Sequence, residues 1–240
     1  SNETVVLTMG APIVVGTTLT ANSGTLVSNL TTLPSGSSAR SYNAWIKLEP
    51  GDSGTLISHG SLNQFNRSAF IVEPSKLTLD FQTLYVQGIN LSLADGAWHM
   101  VTAVFDPALT VNGNSGISFY VDGLAVSTVT AGANGFNKTS VNTINYQNSA
   151  TFDGEFSVVN GGTVSALSTS TLLAGSKIDD AGIWNRALTA SEVSYLYANP
   201  SAVPTSGLVT MEYVADGYHD GGATLGSNTT HTHTITDDDD

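Results

Sequence analysis

The chain has no cysteine, which excludes disulfides, thiol catalysis and thiolate metal sites together. It has little positive charge. Seven Lys and Arg stand against twenty Asp and Glu, for a formal charge of −13 over 240 residues. A phosphate backbone calls for a basic stripe, and none exists here, so nucleic acid and anionic membrane surfaces are poor partners. No run of eighteen apolar residues is present, which argues against membrane insertion by a helix. Only 11% of residues are charged, but 40% are hydrophobic, enough to fill a core. Ser1-Asn2-Glu3 form no basic leader, as expected of a mature or excised chain or one not exported by that route.

What is abundant is Thr, Val, Gly, Ser and Asn. Thr and Val suit pleated surfaces, and Gly, Asn and Asp suit the turns between them. Tyr42, Ala44, Ile46 and Leu48 alternate with Asn43, Trp45 and Lys47. Both faces of that run carry a large apolar group, which predicts an inner strand. Pro74 lies in a hairpin-length loop between two apolar runs, and Asp122-Gly123 separates two more. That dipeptide predicts a type I′ turn, with φ positive at both central residues. The strongly apolar Trp98–Phe105 run, with Trp45, Phe119, Ile178, Ile183 and Leu188, supplies the expected core, and Trp184 is expected partly buried. Val5–Met9 and Leu208–Val214 are expected in the same sandwich, covering exposed edges.

One helix is expected. Thr189 is placed as N-cap with Glu192 three residues on, a capping box. Leu188 and Val193 can staple its start, and Asn199-Pro200 stops it.

Complete catalytic constellations are missing. Asp153 with Glu155 and Glu212 with Asp216 are the candidate carboxylate pairs for glycoside hydrolysis, and they read best as solvated loop acids or calcium ligands. No nucleophile elbow, phosphate loop or His-Glu-x-x-His occurs. His231 and His233 precede the Asp237–Asp240 run and read as tail composition. The acidic, Asn-rich turns make calcium the natural cofactor, with Asp179 the preferred ligand and Asp52 and Asn63 behind it. Tyr85, Phe136, Tyr146 and Phe152 lie near turn-rich segments and are the candidate ligand-contact aromatics. Six Asn-x-Ser/Thr sequons permit glycosylation.

Four segments taken in order resemble the concanavalin A-like jelly rolls of the laminin-G and pentraxin type. They are Tyr42–Leu48 followed by Thr55–Gly60, then Asp95–Asp106, then Ile117–Gly123, and finally Lys177–Val193, the most specific of the set. The resemblance spans about residues 40–198. It implies an all-β fold, a sandwich of two antiparallel sheets with one short docked helix, forming one domain over 1–217. A polar, acidic tail or linker would follow over 218–240. It further implies a non-catalytic module that binds a glycan or surface protein ligand, often with calcium, in an extracellular, cell-surface or virion setting. The alternative is a structural or decoration domain of a viral particle or surface assembly, possible as a homo-oligomer. A glycosidase is the third reading. The absence of the disulfides common in animal members points, by family analogy, to a bacterial or viral example. Residues 130–172 exceed what such a fold needs and are expected to form extra strands or a rim loop.

Overall fold

The computed structural model describes residues 3–7, 25–28, 33–60, 67–81, 85–110, 116–131, 149–152, 176–199, 206–212 and 231–235. The strands are β1 (Glu3–Leu7), β2 (Thr25–Ser28), β3 (Arg40–Lys47), β4 (Gly54–Gly60), β5 (Arg67–Glu73), β6 (Lys76–Asp80), β7 (Tyr85–Gly88) and β8 (His99–Phe105). They continue as β9 (Ile117–Val121), β10 (Leu124–Ala125), β11 (Thr128–Ala131), β12 (Ser149–Phe152), β13 (Lys177–Trp184), β14 (Leu208–Glu212) and β15 (His231–Ile235), with one helix, α1 (Ala190–Ala198), after β13.

Two antiparallel sheets carry the fold, as expected. One has six strands in the order β10-β9-β8-β3-β13-β14, and the other has seven in the order β11-β7-β6-β5-β4-β12-β2. Their facing sides enclose one apolar core. Tyr42, Ala44 and Ile46 of β3, Val101, Ala103 and Phe105 of β8, and Phe119 of β9 meet Phe70, Val72, Leu77, Leu79 and Val86 of the other sheet. The period of two in each strand selects these residues, since alternate side chains share a face.

The six-stranded sheet is apolar on its outer side too. Trp45, Met100, Val104, Tyr120 and Trp184 form a second buried cluster with Leu188, Val193 and Leu196. The helix covers this side, and Trp45 stacks on Tyr197 with ring centroids 5.7 Å apart. Trp184 is wholly buried, not partly so, because it lies beneath that cover, while Trp98 is half-buried at its margin.

The helix starts as the sequence dictates. Thr189 Oγ1 accepts from the Glu192 amide at 3.2 Å, and Glu192 Oε2 accepts from the Thr189 amide at 2.8 Å. Glu192 also binds Arg186, at 2.6 and 2.9 Å. The Arg186 hydrogen bonds, with those from Thr189, lower the Glu192 pKa to about 2. The β9–β10 turn has φ of 50° at Asp122 and 78° at Gly123, the signs of a type I′ turn. A Cβ on Gly123 would also stand 3.1 Å from Tyr197 Cβ, a tight approach to the docked helix.

The chain ends depart from expectation. β14 joins the six-stranded sheet beside β13, but β1 pairs with β15 in a separate two-stranded sheet, Leu7 opposite His231 and Glu3 opposite Ile235. The two terminal apolar runs are therefore not sheet neighbours. Extended Thr- and His-rich chain can satisfy the backbone of an apolar strand as well as another apolar strand can. Among the described residues, no helix is long and apolar enough to cross a membrane.

One polar group sits deep between the sheets. His59 bonds through Nε2 to the Tyr42 hydroxyl at 2.7 Å, and that hydroxyl also bonds Ser68. Burial, helped by the charge of Arg40, lowers the His59 pKa from 6.5 to about 3. The unfolded chain therefore takes up this proton below about pH 6.5 and the folded chain does not. The neutral ring contributes stability that is complete above pH 6.5 and drains away as pH falls toward 3. By pH 4.5 the loss from this ring should be on the order of 2 kcal/mol. Denaturant melts of wild type and His59→Gln at pH 7 and 4.5 measure it. The gap between the two pH values should shrink in the variant, and an equal gap would remove His59 from the account.

Candidate functional site

With one outer side roofed by the helix, the outer side of the seven-stranded sheet is the other large sheet surface. Its residues follow from the core pattern. Leu77 and Leu79 of β6 point inward, so Lys76, Thr78 and Asp80 point outward. The same alternation puts Arg67, Ala69, Ile71 and Glu73 of β5, and Tyr85 and Gln87 of β7, on the outer side.

Strand register arranges them in rows. Ile71, Thr78, Gln87 and Val129 are successive cross-strand partners on β5, β6, β7 and β11. Three strand spacings make that row about 14 Å long. The next row runs Ser58, Ala69, Asp80, Tyr85. Beyond the first row, on the other side, Glu73 faces Lys76 across the β5–β6 hairpin, and their charged ends meet at 2.8 Å.

The two ends of this surface differ. Toward the β4 side, Arg67, Asp80 and Ser58 are buried, and the Arg67 guanidinium is ion-paired to Asp80 through Nη2. Toward β7 and β11, Tyr85 and Gln87 are half-buried and Val129 is exposed. Gln87 Nε2 donates to Thr78 Oγ1 at 3.1 Å, which fixes the amide plane. An accessible strip thus holds a phenol ring, an amide oriented by the buried Thr78 hydroxyl, and a neutralised Lys–Glu pair. Rings of this kind stack on apolar ring faces, and fixed amides and hydroxyls orient hydroxyl groups.

The aromatic and metal candidates are distributed unevenly. Tyr85 lies on this strip. Phe152 is in β12, with Ile57 and Thr25 as its backbone partners. Phe136, Tyr146 and Asn63 lie outside the described residues. Asp52 is buried in the β3–β4 loop, and its Oδ1 accepts from the Ser53 amide at 2.7 Å. Asp179 is buried in β13 opposite Trp45, and its Oδ1 accepts from the Asp180 amide at 2.9 Å. The strand bulges just there, with Asp180 at φ 48°. Among the described residues, no three His, Asp or Glu gather as metal ligands. Glu212 pairs with Ala181 at the edge of the six-stranded sheet. Asp153, Glu155 and Asp216 fall outside the described residues.

Sequence reasoning did not single out Thr78, Gln87, Arg67 or Asp80. The alternation of Lys76, Thr78 and Asp80 with Leu77, Leu79 and Phe81 was the available signal, since it marks an outward polar stripe.

The buried ion pair fixes the floor beside the strip. Asp80→Asn leaves the Arg67 charge buried without its counter-charge and should cost about 3–5 kcal/mol. Replacing both residues by apolar ones of similar size should recover most of that loss. Denaturant melts of the single and double variants check this, and a loss below about 1 kcal/mol for Asp80→Asn would mean that the pair is effectively solvated.

Comparison with known proteins agrees with this architecture. Residues 19–194, well over half of the chain, match the Laminin_G_3 family model, described as concanavalin A-like lectin/glucanases superfamily. The chain is similar to the native heptameric SAP-like pentraxin from Limulus polyphemus at 20% identity and a TM-score of 0.51, covering 75% of this chain and 79% of that one. It is also similar to a Bacteroides ovatus protein described as carbohydrate-binding, at 14% identity and a TM-score of 0.52. That likeness covers 90% of this chain but only 57% of that one. No curated protein matches it. Identities this low speak to the fold, and the family match extends the conclusion to descent: the chain belongs to the concanavalin A-like lectin/glucanase superfamily, among its laminin-G-type domains.

Proposed function

We propose that the chain is a non-catalytic glycan-binding module of a larger extracellular or surface protein, and that the strip around Tyr85 and Gln87 is its contact surface. The carrying observation is the row Ile71, Thr78, Gln87, Val129 with Tyr85 beside it, in which Ile71, Gln87 and Tyr85 are half-buried, Val129 is exposed and the buried Thr78 orients Gln87, all held on strands. Sites on strands are held more precisely than sites on loops. The Glu73–Lys76 pair leaves the strip without net charge, and the chain as a whole carries −13. Both features favour a neutral glycan over an anionic one. Superfamily membership and the carbohydrate-binding description of the Bacteroides ovatus protein support the reading. One strip of this size binds modestly, so many copies on one surface would supply avidity.

A broad glycan array of the whole chain, with and without calcium, tests the proposal, followed by calorimetry on any hit. Neutral glycans should bind, and Tyr85→Ala and Gln87→Ala should each weaken binding about 3- to 10-fold without loss of fold. Silence on the array from a stable homo-oligomer would favour the structural role instead. Release of reducing sugar at many turnovers per protein would overturn the non-catalytic reading.

A further inference from the structure

His99 opens β8 at the end of the sandwich where the 89–98 connection enters the six-stranded sheet. Its two ring nitrogens face two carboxylates. Nδ1 lies 2.8 Å from Asp122 Oδ2, and Nε2 lies 3.1 Å from Asp95 Oδ1. A carboxylate can only accept, and a neutral imidazole has one N–H. Both bonds can therefore stand together only while the ring carries both protons.

The two partners are held differently. Asp122 is anchored twice over. Its Oδ1 accepts from the Met100 amide at 2.9 Å, and its turn is fastened to α1, where Ser194 Oγ donates to Gly123 O at 2.9 Å. Asp95 is 46% exposed, and its carboxylate otherwise accepts from backbone amides within its own turn, that of Ala97 at 2.8 Å among them. The cross-strand neighbour on β3 is the apolar Ile46. Asp122 and Asp95 are the charges that act on the ring.

We propose that His99 is a proton-operated clasp: the imidazolium ties the 94–97 turn to the helix-docked β9–β10 turn, and on deprotonation the ring keeps Asp122 and lets Asp95 go. Burial of the ring opposes its charge, but the bonds to Asp122 and Asp95 outweigh that, and the His99 pKa lies above its ordinary 6.5. The sign follows. The clasp is complete below about pH 6.5 and opens as pH rises through the shifted value. The same connection is pinned farther back, where the Leu91 and Leu93 amides donate to Ser75 and Pro74 carbonyls at 3.1 and 2.9 Å. Opening is therefore confined to the turn around Asp95 and to Trp98 beside it.

Proton titration by NMR and amide exchange of the whole chain, corrected for intrinsic rates, test the clasp together. The His99 pKa should exceed 6.5 in wild type and fall in Asp95→Asn, an exposed substitution that leaves the core untouched. Protection of the amides around residues 95–98 should drop about two- to fivefold as His99 loses its proton. In Asp95→Asn that pH-dependent drop should vanish. An unshifted His99, protection that ignores its titration, or a drop that persists in Asp95→Asn would each overturn the proposal.

Discussion

Strand β3 has to be hidden on both sides. Tyr42, Ala44 and Ile46 need a second sheet, and Trp45 needs a different cover. A large aromatic exposed at the centre of a sheet would forfeit roughly 2–3 kcal/mol of burial. The rest of the architecture follows from that demand. The seven-stranded sheet closes one side, and the nine-residue helix closes the other. So short a helix is unstable alone, so the strand and its cover depend on each other. Ser41 couples them directly. Its hydroxyl donates to Arg186 O and accepts from the Leu188 amide, both at 2.9 Å, which fixes the approach to the helix N-terminus.

The scarcity of cations acquires meaning in this frame. Two of the three arginines are buried and the third is spent on the helix cap. Arg40 lies over the rings of both Phe81 and Phe105, 5.5 Å from each centroid, and donates to the carbonyls of Gly36 and Ser38. Arg67 holds Asp80. Arg186 holds Glu192 in a two-pronged bond. Guanidinium suits such sites because it makes several fixed bonds and is weakly hydrated. Guanidinium charge is thereby committed to internal structure.

Legibility in the sequence tracked the distance between partners along the chain. The capping box joins residues three apart, the β9–β10 turn is two residues, and the double-faced pattern of β3 fills one strand, so all three could be read. The ordered segments from Tyr42 to Val193 carried the family because they record those local rules in series. Arg67 and Asp80 are thirteen residues apart on neighbouring strands, and His99 takes one carboxylate from Asp95 and another from Asp122. Such pairs depend on register, which hydrophobic alternation does not number. The contact aromatics were sought near turns, whereas the strip uses Tyr85 at the start of a strand and amide and hydroxyl groups that composition cannot distinguish from ordinary sheet exterior. Trp184, expected only partly buried, is wholly buried because the helix packs over it.

Because the helix occupies the outer side of one sheet, we propose ligand contact on the outer side of the other. Backbone amide shifts of the labelled chain, followed during titration with a glycan that binds, test that assignment most directly. The account predicts the largest changes at Ile71, Thr78, Tyr85, Gln87 and Val129, with α1 and the strands beneath it undisturbed. Changes centred on Tyr195, Tyr197 and Leu124, with the β5–β7 strip silent, would contradict it.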